Sequence, residues 1–249
     1  MQIAAMTFTL ALTVILPLGL MLLCRKKGGR WSTFCIGAGT FILFALLLEQ
    51  IFHSLVLLSP LGGPLQSNIW LYAIYGGLAA GLFEETGRFV AFRFFLKKQT
   101  EPVTALAYGA GHGGIEAVLI VGLTMVNNMV LLASAKSGTL TDPYLIATAE
   151  TLAAIPAGSF LWAAFERASA ILLHVALSVL VFAAVHQAKE RWLFPVAVLI
   201  HAGADALAVL LNSRAPVAVT ELAALAVAIL AAVFAVKVYQ SWHNISEPI

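Results

Sequence analysis

Two adjacent carboxylates and an arginine, Glu84, Glu85 and Arg88, stand inside an otherwise apolar run, from about Ile69 to Leu96, that is long enough to cross a bilayer. A charge at the centre of a membrane helix costs roughly 2.5–3.5 kcal/mol, so three ionised groups cost on the order of 8–10 kcal/mol before pairing and hydration relieve them. On a helix Glu84 and Arg88 share a face at i, i+4, which allows an ion pair, while Glu85 projects about 100° further round. A structural salt bridge accounts for one glutamate. The second, with no local partner, points to function.

Other apolar runs carry His112 and Glu116, then His174, then His201 and Asp205. At 1.5 Å per residue, Glu84, His112, His174 and His201 lie roughly 18, 12, 19 and 13 Å from the same-side ends of their spans. They occupy one slab and could surround one polar cavity. A lone intramembrane histidine is usually a helix-to-helix hydrogen bond. Three at one depth beside paired glutamates suit hydrolysis instead: a carboxylate in an apolar site is a stronger base than in water, and histidine can ligate zinc or donate to an oxyanion. Other hydrolytic signatures are absent. There is no His-Glu-x-x-His and no Gly-x-Ser-Gly, and Asp205 is the only aspartate within a span, so no aspartyl dyad is available.

The elements that must position these groups follow from composition. The chain of 249 residues is 61% hydrophobic and 10% charged, against about 25% charged in a soluble domain, which excludes a soluble globular protein. It reads as all-α, a polytopic transmembrane helix bundle filling residues 1–249 as a single integral-membrane domain, with no internal repeat or linker. The net charge of +2 gives no indication of a nucleic-acid partner; the expected partners are the lipid bilayer and a membrane-protein or peptide substrate.

Seven spans are expected, at about 3–24, 34–58, 69–96, 104–135, 168–187, 193–211 and 217–240. The fourth exceeds a single crossing, so it is expected to be tilted or broken near the glycines of 109–114. Residues 136–166, with Pro143 and Pro156, read as an external loop with an interfacial or re-entrant helix, or as an eighth span. Glu49 and His53 read as a local pair at the membrane border. Cys24 and Cys35 flank a basic loop and are expected to be reduced. Arg25, Lys26, Lys27, Arg30, Arg93, Lys97, Lys98, Lys189, Arg191 and Lys237 fall on one side, and Lys136, Arg167 and Arg214 on the other. By the positive-inside rule this predicts an integral membrane protein with its N-terminus outside and its C-terminus cytoplasmic.

Glu84-Glu85-x-x-Arg88, Tyr108 four residues before His112, His174 alone in a later span, and His201-x-x-x-Asp205 resemble, in order and combination, the motifs of the CAAX-protease and bacteriocin-processing membrane protease superfamily. Within it the chain is most similar to YhfC-type intramembrane metalloproteases. The resemblance runs from the third span to the sixth. It implies that Glu84 activates water together with His112, and that Glu85 and Arg88 support that pair. It also implies that His174, or His201 with Asp205, binds the oxyanion or helps hold a metal. Three imidazoles and a carboxylate (Glu84, His112, His174, His201) could hold zinc, and the metal-free glutamate mechanism of the CAAX relatives needs the same residue types. Three positions depart from the superfamily pattern. Two residues rather than three separate Glu85 from Arg88, Tyr108 replaces the usual Phe, and Asp205 replaces the Asn of prenyl-protein proteases. An ionised Asp would repel an oxyanion, yet it could serve a metal or orient His201, so prenylated substrates are not implied. The alternative reading is a proton-coupled transporter or a non-enzymatic membrane scaffold, for which paired inverted repeats would be the sign.

Overall fold

The structure, a computed structural model, describes residues 1–246. Runs this apolar must satisfy every backbone N–H and C=O internally once water is excluded, so they fold as helices. In order these are α1 (Gln2–Lys26), α2 (Trp31–Leu57), α3 (Ile69–Val90, continued by a π-helical turn Ala91–Phe95), α4 (Val103–Lys136), α5 (Pro143–Ala154), α6 (Ala157–His186), α7 (Leu193–Asn212) and α8 (Val217–Ser246). No strand occurs among the described residues. Asn68 starts α3, its Oδ1 accepting from the backbone N–H groups of Trp70 and Leu71, and Asp142 starts α5 in the same way from Tyr144 and Leu145.

Six helices among the described residues, α1, α2, α4, α6, α8 and the stretch of α7, are long and apolar enough to cross a membrane. The seventh long helix, α3, runs through residues 69–95, ~40 Å at 1.5 Å per residue, and carries the acidic motif. Helix α5, with 12 residues, spans only ~18 Å, too short to cross, so residues 136–166 hide no eighth span.

One expectation is corrected, and one pair of alternatives is decided. Helix α6 begins at Ala157, directly after Pro156, instead of near residue 168. A proline preceding a helix costs that helix no hydrogen bond, so Pro156 marks a start and not the end of a loop. Of unwinding and close helix approach at the glycines of α4, the second occurs: the helix is unbroken there and the glycines admit neighbouring backbones. A Cβ at Gly111 would lie 2.0 Å from the Phe34 carbonyl oxygen on α2, and one at Gly109 would lie 2.6 Å from Val175 Cα on α6. The departure from α-helical hydrogen bonding in α4 comes later, as a π-helical stretch Ala117–Gly122.

The bundle is built around α6. Its apolar window is 72% buried, against 28% or less for the other five spans, and α1, α4 and α8 pack directly on it. Helix α3 pairs with α7 through Gly77 and Gly81, where an added Cβ would lie 2.3 Å from the Ala202 carbonyl oxygen and 2.7 Å from that of Val198. Because Gly77 and Gly81 are one turn apart, they form a flat stripe. The next turn of that helix therefore presents Glu84 and Glu85 to His201 on α7.

Candidate active site

Four helices deliver the polar side chains to one point inside the bundle. Helix α3 supplies Glu84, Glu85 and Arg88, α4 supplies His112 and Glu116, α6 supplies Arg167 and His174, and α7 supplies His201, all of them buried. His112 Nε2 is 2.8 Å from Glu84 Oε2, and the rings of His112, His174 and His201 follow one another with centroid separations of 4.9 and 5.4 Å. The convergence expected from equal depth is therefore present.

Spacing allows Arg88 an i, i+4 pair with Glu84, and the pair that forms is with Glu85. Arg88 turns to Glu85, one residue nearer, with Nη1 2.5 and 2.6 Å from the two carboxylate oxygens, both residues fully buried. An i, i+3 separation also places two side chains on one helix face, and the sequence does not specify which rotamer wins. Glu85 in turn accepts from His201 Nδ1 at 2.8 Å. Since Nδ1 carries that proton, His201 Nε2 is the nitrogen turned to the centre, 3.9 Å from Glu84 Oε1.

A second chain of the same kind lies on the opposite side. Arg167 donates through Nη1 to Glu116 Oε1 at 2.7 Å and through Nε and Nη2 to its neighbour Glu166. Glu116 Oε2 lies 2.5 Å from His174 Nε2, a short carboxylate–imidazole contact that is not a straight hydrogen bond. His174 Nδ1 faces Arg88 Nη2 at 3.1 Å and Glu84 Oε2 at 3.9 Å. Two arginine–glutamate pairs thus each back one imidazole. Glu84 differs from both supporting glutamates, because its close neighbours are imidazoles and no arginine pairs with it.

The donor set fits a metal ion. One ligand atom each from Glu84, His112 and His174 lies within 4.8 Å of the others, a His/His/Glu set suited to a zinc site with an open position. Carboxylates behind the imidazoles are what metal-binding histidines use to fix ring orientation. His201, expected as a fourth ligand, stands just outside that group on the Oε1 side of Glu84.

Tyr108 forms one wall. Its fully buried ring stacks at 30° on His112, and its hydroxyl bonds Thr40 on α2, a partner that a Phe in its place would not need. Asp205 sits at the margin with 42% of its side chain exposed, 3.5 Å from His201 Nε2, so Glu85 rather than Asp205 orients that ring. Glu49 and His53 form the expected local pair at 3.1 Å, extended by the Tyr75 hydroxyl donating to His53 Nδ1 at 2.7 Å.

Sequence reasoning missed two residues. Glu116 is placed among the polar residues of its span without a role, although His112-x-x-x-Glu116 puts it one turn away on the same face. Arg167 is placed outside the membrane, whereas it lies seven residues before His174 on the same face of α6.

The description "YhfC intramembrane metalloprotease" belongs to a family whose pattern matches residues 12–228, a stretch that holds every residue named in this site. The chain is 37% identical over 203 residues to "Uncharacterized membrane protein YhfC" of Bacillus subtilis (strain 168), covering 77% of this chain and 78% of that protein. No solved structure matches the chain.

Proposed function

Since the chain belongs to the YhfC intramembrane metalloprotease family, we propose that it is a membrane-embedded endopeptidase that hydrolyses peptide bonds with a water activated at Glu84. One observation carries the reading. Among the three buried glutamates at the centre, Glu84 alone has no arginine partner and faces three imidazoles, with His112 at 2.8 Å. A structural carboxylate in hydrocarbon takes a cation, as Glu85 and Glu116 do here.

Glu84, His112 and His174 would hold zinc, which when bound polarises the scissile carbonyl and acidifies a bound water. The two oxygens of Glu84 have separate surroundings, Oε2 toward His112 and His174 and Oε1 toward His201. Oε1 takes one proton from the attacking water as its oxygen bonds to the peptide carbonyl carbon. In its protonated form His201, held through Nδ1 by Glu85, faces the oxyanion with Nε2. Glu84 then gives its proton to the amide nitrogen as the carbon–nitrogen bond breaks. The surrounding helices exclude bulk water, which strengthens each of these contacts.

The order of motifs supports placing the chain in the CAAX-protease and bacteriocin-processing superfamily, and a membrane protein or peptide is the substrate this reading implies. With Arg167 inside the bundle, ten Lys and Arg residues stand on one side against Lys136 and Arg214 on the other. That count favours an external N-terminus in the bacterial plasma membrane. Packing of α1, α4 and α8 on the single helix α6 supports hydrolysis over transport.

Metal analysis of the purified protein beside its Glu84→Gln variant tests the proposal. Stoichiometric zinc in the wild type and a reduced content in the variant are expected. A metal-free wild type that still cleaves membrane substrates in a Glu84-dependent way would remove zinc and keep the hydrolase. A metal-free protein without such cleavage would overturn the reading.

A further inference from the structure

Arg167 and Glu116 lie within the bundle on α6 and α4, and neither belongs to the acidic, Tyr-x-x-x-His or His-x-x-x-Asp motifs. Their side chains are only 11% and 12% exposed, so the pair bears the desolvation of two charges. The two helices interlock in a particular way. Helix α4 gives a site histidine, His112, and one turn later the supporting Glu116. Helix α6 gives Arg167 and, two turns later, the site histidine His174. Gly113 makes the contact possible, since a Cβ there would lie 3.2 Å from His174 Cβ and from the Ile171 backbone. The arrangement repeats on other helices the link by which Arg88 holds Glu85 and Glu85 holds His201.

The chemistry of the contacts fixes the tautomer of His174. An arginine side chain only donates, so the Nδ1 that faces Arg88 Nη2 at 3.1 Å must accept. Nε2 therefore carries the proton and meets Glu116 at 2.5 Å. We infer that Glu116, anchored by Arg167, is a positioning residue that holds His174 in the Nε2–H tautomer, leaving Nδ1, on the Glu84 side, to accept from Arg88 with the lone pair that a metal ion would take over. The consequence for metal binding rests on the hydrolase reading above. The geometry does not.

The test uses the full chain in detergent, labelled with 15N-histidine, with a His174→Asn sample to identify the His174 signals. The wild type should show His174 as a single Nε2–H species. Glu116→Leu and Arg167→Leu should give mixed tautomers or a displaced signal. Glu116→Gln, which keeps an acceptor oxygen, should restore the Nε2–H form. Glu49→Gln, at a buried glutamate outside the site, should leave the signal unchanged. If Glu116→Leu does not fold, Glu116→Asp decides, because its shorter carboxylate cannot bond Arg167 and reach His174 together.

Zinc affinity, measured by competition with a chelating dye, should fall roughly 10–100-fold in Glu116→Leu. An unchanged His174 signal in the Leu or Asp variant, with zinc affinity within about twofold of wild type, would overturn the inference. A wild type that binds no zinc would count against the metal reading above, while the tautomer measurement would still decide the role of Glu116.

Discussion

Replacing Arg88 with leucine isolates the energetics on which the acidic motif depends. Arg88 is fully buried, holds both oxygens of Glu85 at 2.5 and 2.6 Å, and faces His174 Nδ1 at 3.1 Å. Its loss strands a buried carboxylate whose remaining close partner is His201. Breaking a buried pair in this way costs about 3–5 kcal/mol. For a chain of this size each kcal/mol moves the melting temperature by roughly 2–4 °C, so a fall of about 6–20 °C is expected, followed by tryptophan fluorescence in detergent. The companion variant Glu85→Leu/Arg88→Leu removes both charges. Replacing a whole buried pair by apolar groups is often neutral, so the double variant should recover most of the loss while His201 loses its orienting partner. A single Arg88→Leu variant that melts within ~2 °C of wild type, less than ~1 kcal/mol by the same conversion, would refute the buried-pair argument. So would a double variant no more stable than the single one.

Two further outcomes follow from the same contacts. Gly81→Leu places a side chain where even a Cβ would lie 2.7 Å from the Val198 carbonyl oxygen, so α3 and α7 must separate. It should destabilise by about 1–3 kcal/mol or more and disrupt the Glu85–His201 bond, which His201 ring-nitrogen shifts would report. Thr40→Val leaves the buried Tyr108 hydroxyl unpaired and should cost ~1–3 kcal/mol, whereas adding Tyr108→Phe should return most of it in the same melting assay.

Much of the architecture is legible in the sequence because hydrocarbon leaves the backbone few options. Runs of apolar length give the helices, and similar depth along them brings Glu84, His112, His174 and His201 together. The Glu49–His53 contact was readable for a simple reason, as a spacing of four places two polar groups on one face. What spacing leaves undetermined is the choice between rotamers, and so Arg88 paired with Glu85 rather than Glu84. Depth also gives no azimuth. Glu116 looks like one more polar residue until α6 brings Arg167 and His174 against it. Arg167 was misplaced because polar residues after Pro156 read as loop, although the same proline opens a helix at Ala157. The glycines of α4 and α3 allow either unwinding or close approach, and only the neighbours at Gly111 and Gly81 distinguish the two.

The central claim is that Glu84 activates water, and the most direct measurement compares new protein termini in membranes from cells expressing the wild type or Glu84→Gln at matched levels. Glutamine keeps the size and the contact with His112 but accepts no proton, so the chemical step should slow by roughly 10²–10⁴-fold. Thermal stability should be retained or raised, since the carboxylate without an arginine partner becomes a neutral amide. If Glu84 activates water, a set of termini within membrane segments should appear with the wild type and vanish with Glu84→Gln. The same termini in equal amounts from both proteins would contradict it.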